Sequence, residues 1–218
     1  MKLYPSILTS SLATFENQIA AAIASDEIKV VQIDLIDGYF ADNTTLSALD
    51  ITQIDYEDLQ LDFHLMVEEP IDFLHEIIAI KEHLPIRAII AQVERMSYQE
   101  EFIEELSGQG WQVGLALDLF TPVTAIDKDS WEELDIVQLM TVETGFQGQK
   151  FNKNALRKIP SIRDQAQKEV EVIVDGGIKL SNLKSLLQED VNAFAVGSDI
   201  WTAPDPIQAM REYSQLLD

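Results

Sequence analysis

Polar side chains interrupt apolar stretches of this sequence at points where they could do chemistry together. Gln32 and Asp34 lie two residues apart in the run Val30–Leu35, and His64 and Asp175 lie in or next to two further runs. Residues two apart in a strand point to the same face, so Gln32 and Asp34 share a face if this run is a strand. An aspartate among buried apolar residues is costly unless it is paired or holds a metal ion. Asp34 and Asp175 are therefore predicted to be functional.

Two carboxyl groups on opposite sides of a pocket suit one class of reaction. One takes a proton from a carbon next to a carbonyl, and the other returns a proton from the far side, which inverts the carbon. The developing enediolate oxygen then needs a metal ion or strong hydrogen-bond donors. His64 beside Asp34 and Asp175 is a candidate metal ligand. Hydrolysis at a metal ion could use a similar set, so these residues alone leave the reaction open.

Glycines follow the last two apolar runs of the chain. Gly176 and Gly177 follow one run, and Gly197 and Ser198 follow the other. Loops at these places in (β/α)₈ barrels often bind phosphate through backbone N–H groups and a short helix N-terminus. The glycine-containing segment 144–149 could form a lid. The sequence therefore predicts a phosphate-binding edge beside the carboxyl groups.

The elements that must position these residues begin with short apolar runs. The runs are nearly continuous rather than alternating, which is typical of strands buried on both faces of a parallel sheet. The eight runs are Leu3–Leu8, Val30–Leu35, Leu61–Val67, Ala88–Val93, Val113–Leu117, Ile136–Met140, Val170–Val174 and Ala193–Val196.

Amphipathic segments between the runs predict helices. The predicted helices are Leu12–Ser25, a helix that opens at Pro70, Tyr98–Leu106, Asn152–Gln167, Leu180–Leu187 and Pro206–Leu217. The segment 42–57 predicts a loop and a short helix. This alternation over 218 residues predicts a single (β/α)₈ barrel spanning residues 1–218, with a doubly wound open sheet as the alternative.

Composition excludes several classes of function. The chain has 15 Lys and Arg against 38 Asp and Glu, a net charge of −23, which disfavours nucleic acid and anionic membrane surfaces as partners. It has no Cys, and we find no apolar stretch long enough for a signal peptide or a membrane span. We therefore expect a cytoplasmic protein. Residues 150–184 carry a net charge of +4 (8 basic and 4 acidic residues), which is either an anion-positioning stretch or a solvated helix face.

The sequence resembles the ribulose-phosphate 3-epimerase family of (β/α)₈ barrels. The matching stretches occur in the same order as in the family, from residue 5 to residue 198. Taken together, their spacing is specific for the fold and superfamily. The matching stretches are Pro5–Leu8, Ile33–Gly38, Asp62–Val67, Met140–Val142, Gly145–Phe146 with Gly148–Phe151, Val174–Ile178 and Val196–Ser198.

This resemblance implies roles for individual residues. Asp34 and Asp175 would be the paired acid and base and would also bind a divalent metal ion such as zinc, iron or manganese. His64 would be a third ligand, and Gln32 stands at the position of a fourth. Ser6 would hydrogen-bond the sugar, two methionines would lie beside the reacting carbons, and the glycine loops with Ser198 would hold the phosphate. The implied substrate-binding residues are Ser6, Met66, Met140, Gly145, Gly148, Gly176, Gly177, Gly197 and Ser198.

Several positions depart from the family pattern. Gln32 replaces the usual His ligand, and an amide oxygen is a weaker ligand for zinc than imidazole, so the metal could bind loosely, differ or be absent. Gln92 replaces a His of the fourth strand, and Asp118 stands where Asn is usual. Gln147 replaces a Gly of the lid, and it would strain the turn if the position requires positive φ.

The sequence therefore predicts an epimerase that inverts C3 of a ketose phosphate, first of all D-ribulose 5-phosphate. A close variant would act on another ketose phosphate, such as a hexulose 6-phosphate. The alternatives are a sugar-phosphate-binding protein that has lost catalysis and another phosphate-binding barrel enzyme. The barrel-enzyme alternative is disfavoured because those enzymes typically place a Lys beside the acids of the second and third strands, and residues 32–37 of the second strand contain none. By the resemblance, a homo-oligomer is possible.

Overall fold

Eight parallel strands close into a barrel in a computed structural model of the chain, which describes residues 1–217. Each strand pairs with the next in sequence, and the last strand returns to the first. The predicted (β/α)₈ barrel is thereby confirmed, although Asp218, the end of the predicted domain, lies outside the described residues. The strands are β1 (Lys2–Ile7), β2 (Val30–Ile36), β3 (Gln60–Met66), β4 (Ile86–Gln92), β5 (Gln112–Leu117), β6 (Ile136–Met140), β7 (Glu171–Asp175) and β8 (Ala193–Val196).

The helices surround this barrel. They are α1 (Leu12–Ala24), α2 (Pro70–Ala79), α3 (Gln99–Ser107), α4 (Ile159–Gln165), α5 (Leu180–Leu186), α6 (Ser198–Trp201) and α7 (Pro206–Leu217). None of these helices, which cover every α-helix in residues 1–217, is long and apolar enough to cross a membrane.

One connection differs from the helix predicted by sequence, and one loop agrees with its prediction. The predicted helix Asn152–Gln167 is divided into a 3₁₀ segment, Lys153–Lys158, and α4, which has Pro160 in its first turn. Proline is tolerated there because its missing N–H has no partner to lose at a helix start. After β2, the segment 42–57 forms loop with one short 3₁₀ turn, Leu49–Ile51, as expected.

The barrel interior is filled by side chains rather than open. One tyrosine and eight small or β-branched side chains meet in its interior: Tyr4, Val30, Ala88, Ile90, Ala116, Ile136, Ile173, Ala193 and Ala195. A larger apolar layer lies between the strands and the helices. Burial on both faces explains why the strand sequences are almost continuously apolar. The polar side chains inside this barrel therefore lie at its two ends, away from the apolar centre.

At the amino end of the strands, a charged cluster closes the barrel. Arg87 Nε donates to Asp62 Oδ1 at 2.7 Å, and Arg87 Nη1 donates to Glu171 Oε2 at 3.2 Å. The guanidinium carbon of Arg87 also lies 4.8 Å from the centre of the Tyr4 ring, whose hydroxyl donates to Glu171 at 2.6 Å. Lys2 Nζ, on the rim, lies 3.1 Å from Glu171 Oε1. We call these five residues the amino-end cluster.

The position of Arg87 depends on a local irregularity of the sheet. Leu61 pairs with Ile86, but the next residue, Asp62, pairs with Ala88, so the register shifts by one residue. Arg87 is the extra residue of β4. Such insertions bend a strand and re-aim a side chain.

Candidate active site

Three polar residues of the predicted set meet inside the carboxyl end of the barrel. Asp34 of β2 stands opposite His64 of β3 in the sheet register, and Asp175 ends β7. His64 Nδ1 lies 3.1 Å from Asp34 Oδ1 and 3.8 Å from Asp175 Oδ2. One ligand atom from each of the three residues lies within 4.8 Å of the others, and all three residues are buried. Sequence positions 34, 64 and 175 are thus brought together by closure of the barrel, and we call them the triad.

Two buried glutamine amides lie against the triad. Gln32 Nε2 donates to Asp34 Oδ1 at 2.9 Å and to Asp175 Oδ2 at 2.8 Å. Gln138 of β6 donates from Nε2 to the same Asp175 oxygen at 2.8 Å, and its Nε2 lies 3.2 Å from His64 Nδ1. The two carboxyl groups are therefore joined by neutral donors.

A third amide lies on the other side of the imidazole. Gln92 Nε2 is 3.0 Å from His64 Nε2 and 3.5 Å from Thr144 Oγ1. Thr144 in turn donates its hydroxyl to Asp118 Oδ1 at 2.6 Å. Gln92 and Asp118, two of the positions that depart from the family pattern, thus belong to one hydrogen-bonded chain that ends at the triad.

Proximity of the two carboxyl groups has an electrostatic consequence. Burial, and then the negative charge of Asp34, raise the pKa of Asp175 to about 7, while His64 and the hydrogen bond from Gln32 act in the opposite direction. Two close carboxylates in a buried site do not ionise independently. One carboxyl group of the pair can therefore carry a proton while the other is ionised, as an acid and a base require.

The triad faces a pocket at the mouth of the barrel. Every residue proposed from sequence for substrate binding lines it, whereas Gln32 does not line it and reaches it through its hydrogen bonds to Asp34 and Asp175. Among residues 1–217, no Lys or Arg lines this pocket. The pocket residues are Ser6, Leu8, Asp34, His64, Met66, Met140, Val142, Gly145, Phe146, Gln147, Gly148, Gln149, Asp175, Gly176, Gly177, Ile178, Ala195, Gly197 and Ser198. The basic side chains of residues 150–184 instead make contacts outside the pocket, such as Arg163 with Asp190 and Lys158 with the carbonyl of Asp118.

Two glycines of the pocket lie so close to neighbouring atoms that a side chain would be strained at Gly177 and would displace its neighbours at Gly197. Gly177 has φ +65°, and a Cβ there would lie 2.4 Å from the backbone nitrogen of Phe151. Gly197 has ordinary φ, but a Cβ there would lie 2.8 Å from Ser6 Oγ. The absence of side chains lets the loops after β7 and β8 approach the pocket closely.

Side-chain hydrogen bonds hold the lid segment, residues 144–149, over this pocket. Asn43 donates to the carbonyl of Gly145 at 2.9 Å, and Gln149 donates to the carbonyl of Phe146 at 2.9 Å. The positive φ angles among the non-glycine residues 1–217 lie outside the lid, so Gln147 does not carry the strain considered from the sequence. The ring of Phe146 is half exposed at the pocket mouth.

Gln138 is the residue of this site that the sequence reasoning missed. It lies two residues before Met140 in an otherwise apolar run, which is the same signal that pointed to Gln32 and Asp34. Gln138 could therefore have been predicted, because it is a polar residue in a buried strand and points to the same face as the site residue Met140.

The triad could hold a metal ion, because two carboxylates and an imidazole are common ligands at this spacing. Gln32 is oriented differently from a ligand, since it turns its N–H groups toward the carboxylates. Its buried Oε1 has no hydrogen-bond partner within residues 1–217. Rotating the Gln32 amide by about 180° would turn Oε1 toward an ion held by the triad. The site therefore accommodates a metal ion, with Gln32 as a fourth ligand once its amide has rotated.

Comparison with known proteins identifies the family. The profile of the "Ribulose-phosphate 3 epimerase family" matches residues 2–201. The chain belongs to the ribulose-phosphate 3-epimerase family. It is 30% identical over 217 residues to the ribulose-phosphate 3-epimerase of Bacillus subtilis, covering 97% of each chain. It is 28% identical over 206 residues to that of Escherichia coli, covering 92% of this chain and 89% of the other.

Members of the ribulose-phosphate 3-epimerase family are isomerases, so the expectation of an isomerase is confirmed. Among solved structures, 3-hexulose-6-phosphate synthase from Salmonella typhimurium superposes with a TM-score of 0.68 and 15% identity, covering 100% of this chain and 98% of the other. At that identity the likeness shows the shared barrel fold alone.

Proposed function

We propose that this protein inverts C3 of a ketose phosphate, first of all interconverting D-ribulose 5-phosphate and D-xylulose 5-phosphate. The observation that carries the proposal is the pair of buried carboxyl groups, Asp34 and Asp175, facing one pocket. Inversion needs a base on one side of the carbon and an acid on the other. Family membership supports the same reaction class.

In the proposed reaction, the ionised aspartate removes the C3 proton and the protonated one delivers a proton to the opposite face. The raised pKa of Asp175 suits this exchange near neutral pH. Reversal of the reaction exchanges the two roles. An ion held by the triad, proposed as zinc, iron or manganese, would stabilise negative charge on the substrate oxygens. Met66 and Met140 line the pocket beside the triad, where their sulfurs offer no competing acidic proton.

The phosphate group would be held by the loops after β7 and β8. Because no Lys or Arg among residues 1–217 lines the pocket, its charge must be met by backbone N–H groups and by Ser198. Gly176 and Gly177, both with positive φ, allow the close backbone approach that this requires. Ser6, at the end of β1, would bind a sugar hydroxyl.

The test is turnover of D-ribulose 5-phosphate in deuterated water, followed by NMR. The protein is first stripped of metal and then supplied with zinc, iron or manganese separately. We expect D-xylulose 5-phosphate with solvent deuterium at C3. The same assay on a hexulose 6-phosphate tests the alternative substrate. If the folded protein converts neither sugar with any ion or without one, the epimerase proposal is wrong and a sugar-phosphate-binding protein replaces it. The homo-oligomer and the cytoplasmic location stay predictions.

A further inference from the structure

The three site glutamines can be assigned one consistent set of hydrogen-bond directions. As a carboxylate, Asp118 accepts, so the Thr144 hydroxyl gives it its proton across the 2.6 Å contact. The Thr144 oxygen is then left as an acceptor, which an N–H of Gln92 faces at 3.5 Å. The amide of Gln92 is thereby oriented with its nitrogen toward both Thr144 and His64.

This orientation selects the tautomer of His64. An N–H of Gln92 points at His64 Nε2 across 3.0 Å, so that ring nitrogen accepts. A neutral imidazole then carries its proton on Nδ1, where it donates to Asp34 Oδ1 at 3.1 Å. Gln138 Nε2, 3.2 Å from the same ring nitrogen, then directs its N–H groups to Asp175 Oδ2 and toward Met140 Sδ rather than to the ring. Nδ1 is the ring nitrogen that faces both carboxylates. A metal ion could bind Nδ1 only after the proton had moved to Nε2, where Gln92 presents a donor.

Gln138 and Gln32 oppose a metal ion from the other side. Both direct N–H groups at Asp175 Oδ2 at 2.8 Å, and Gln32 also bonds Asp34. Within residues 1–217, the buried amide oxygens of Gln32, Gln92 and Gln138 have no partner. All the side-chain hydrogen bonds of these three amides among the described residues are therefore made by their nitrogens.

We propose that Gln92, Gln138 and Gln32 are positioning residues that hold the triad in a hydrogen-bonded state which competes with a divalent ion. Binding an ion requires two amides to release the carboxylates and His64 to change tautomer. When no ion is bound, these amides keep the acid and the base, Asp34 and Asp175, in a fixed orientation. The inference concerns the same site as the proposed function and rests on it for its catalytic meaning.

The first test measures metal affinity, by calorimetric titration of metal-stripped protein with zinc and with manganese. Gln138→Leu removes the amide while nearly keeping the volume, and we expect it to bind the ions at least tenfold more tightly than the unchanged chain. Gln138→Met provides a second variant if the first does not fold. Gln18→Leu, on α1, is the matched control and should leave affinity unchanged. Equal or weaker binding by both Gln138 variants would overturn the proposal, and weaker binding would make Gln138 a ligand.

The second test reads the tautomer of His64 directly, from imidazole nitrogen shifts in ¹⁵N-histidine-labelled protein. His75 and His83 are exposed, and substituting each in turn assigns the three rings. We expect a proton on Nδ1 of His64, and loss of this tautomer in Gln92→Glu, whose carboxylate accepts from Nε2. A proton on Nε2 in the unchanged protein would overturn the inference. Both tests are independent of turnover, so failure of the epimerase assay with these results intact would refute only the proposed function.

Discussion

The two ends of the barrel both bury a pair of carboxyl groups, but they neutralise them differently. At the amino end, Asp62 and Glu171 share the guanidinium of Arg87. At the carboxyl end, Asp34 and Asp175 share neutral amide donors and one imidazole. The first pair has a permanent positive charge beside it, whereas no Lys or Arg of residues 1–217 lines the pocket that holds the second.

This difference changes the protonation of the two pairs. Burial disfavours ionised Glu171, but the Tyr4 hydrogen bond and the charge of Arg87 hold its pKa below the ordinary value. At the other end, burial and the charge of Asp34 raise the pKa of Asp175 to about 7. The charged partner therefore holds Glu171 as an anion, although burial still raises the pKa of Asp62 despite Arg87, whereas the amide partners leave Asp175 able to exchange a proton.

The largest expected effect is on catalysis at the carboxyl end. Asp34→Asn or Asp175→Asn should each lower kcat by about 10²–10⁴-fold, because each removes the acid or base of the pair. The free energy of unfolding should not decrease, since a repulsive charge is removed. Steady-state kinetics and urea unfolding check both parts. Normal turnover in either variant would contradict the mechanism with two aspartates.

At the amino end, the expected effect is on stability. Arg87→Met leaves Asp62, which is 0% exposed, without its charged partner and should reduce the free energy of unfolding by about 3–5 kcal/mol. The kcat of the folded fraction should change less than twofold. The double variant Arg87→Met with Asp62→Leu should recover part of the loss. A large change in kcat with unchanged stability would mean that the two ends are not distinct in role.

Within the amino-end cluster, Tyr4→Phe isolates one hydrogen bond. The change removes the hydroxyl that donates to Glu171 at 2.6 Å but keeps the ring beneath Arg87. Because the acceptor is charged, we expect a loss of about 1.5–3 kcal/mol in urea unfolding. A loss as large as that for Arg87→Met would show that the hydroxyl, rather than the guanidinium, neutralises this end.

The smallest effect is expected for Lys2→Met. The Lys2 side chain is 60% exposed, and exposed ion pairs contribute about 0–1 kcal/mol. Urea unfolding at low and high salt should therefore give nearly the same midpoint for the variant and the unchanged chain. A large, salt-dependent loss would place Lys2 among the residues that neutralise the amino end.

Much of the site could be predicted from the sequence because parallel strands bring their carboxyl ends together. Asp34 and His64 lie near the carboxyl ends of apolar runs and Asp175 directly follows one, so barrel closure alone makes them neighbours. The direction of each amide could not be predicted, because it depends on contacts with several strands at once. Gln138 illustrates this: its significance lies in its distances to Asp175 and His64.

Local packing also limited the prediction of the fold. The helical pattern at Asn152–Gln167 does not show where a 3₁₀ segment gives way to α4. Similarly, Arg87 at the start of an apolar run suggests a solvent-facing residue. Its inward direction follows from the register shift between β3 and β4, which no periodicity of a single strand reveals.

That shift lets one strand contribute to both ends of the barrel interior. Arg87 and Gln92 are five residues apart, and an uninterrupted strand sends residues at an odd separation to opposite faces. The inserted residue resets the phase, so the cation reaches the amino-end cluster and the amide still reaches His64. Deleting Arg87 while keeping the upper pairing would leave Ile86 opposite Leu61, and Asp62 would lose its charged partner. One strand, β4, therefore supplies both an amide that contacts the active-site histidine and the cation that closes the opposite end of the barrel.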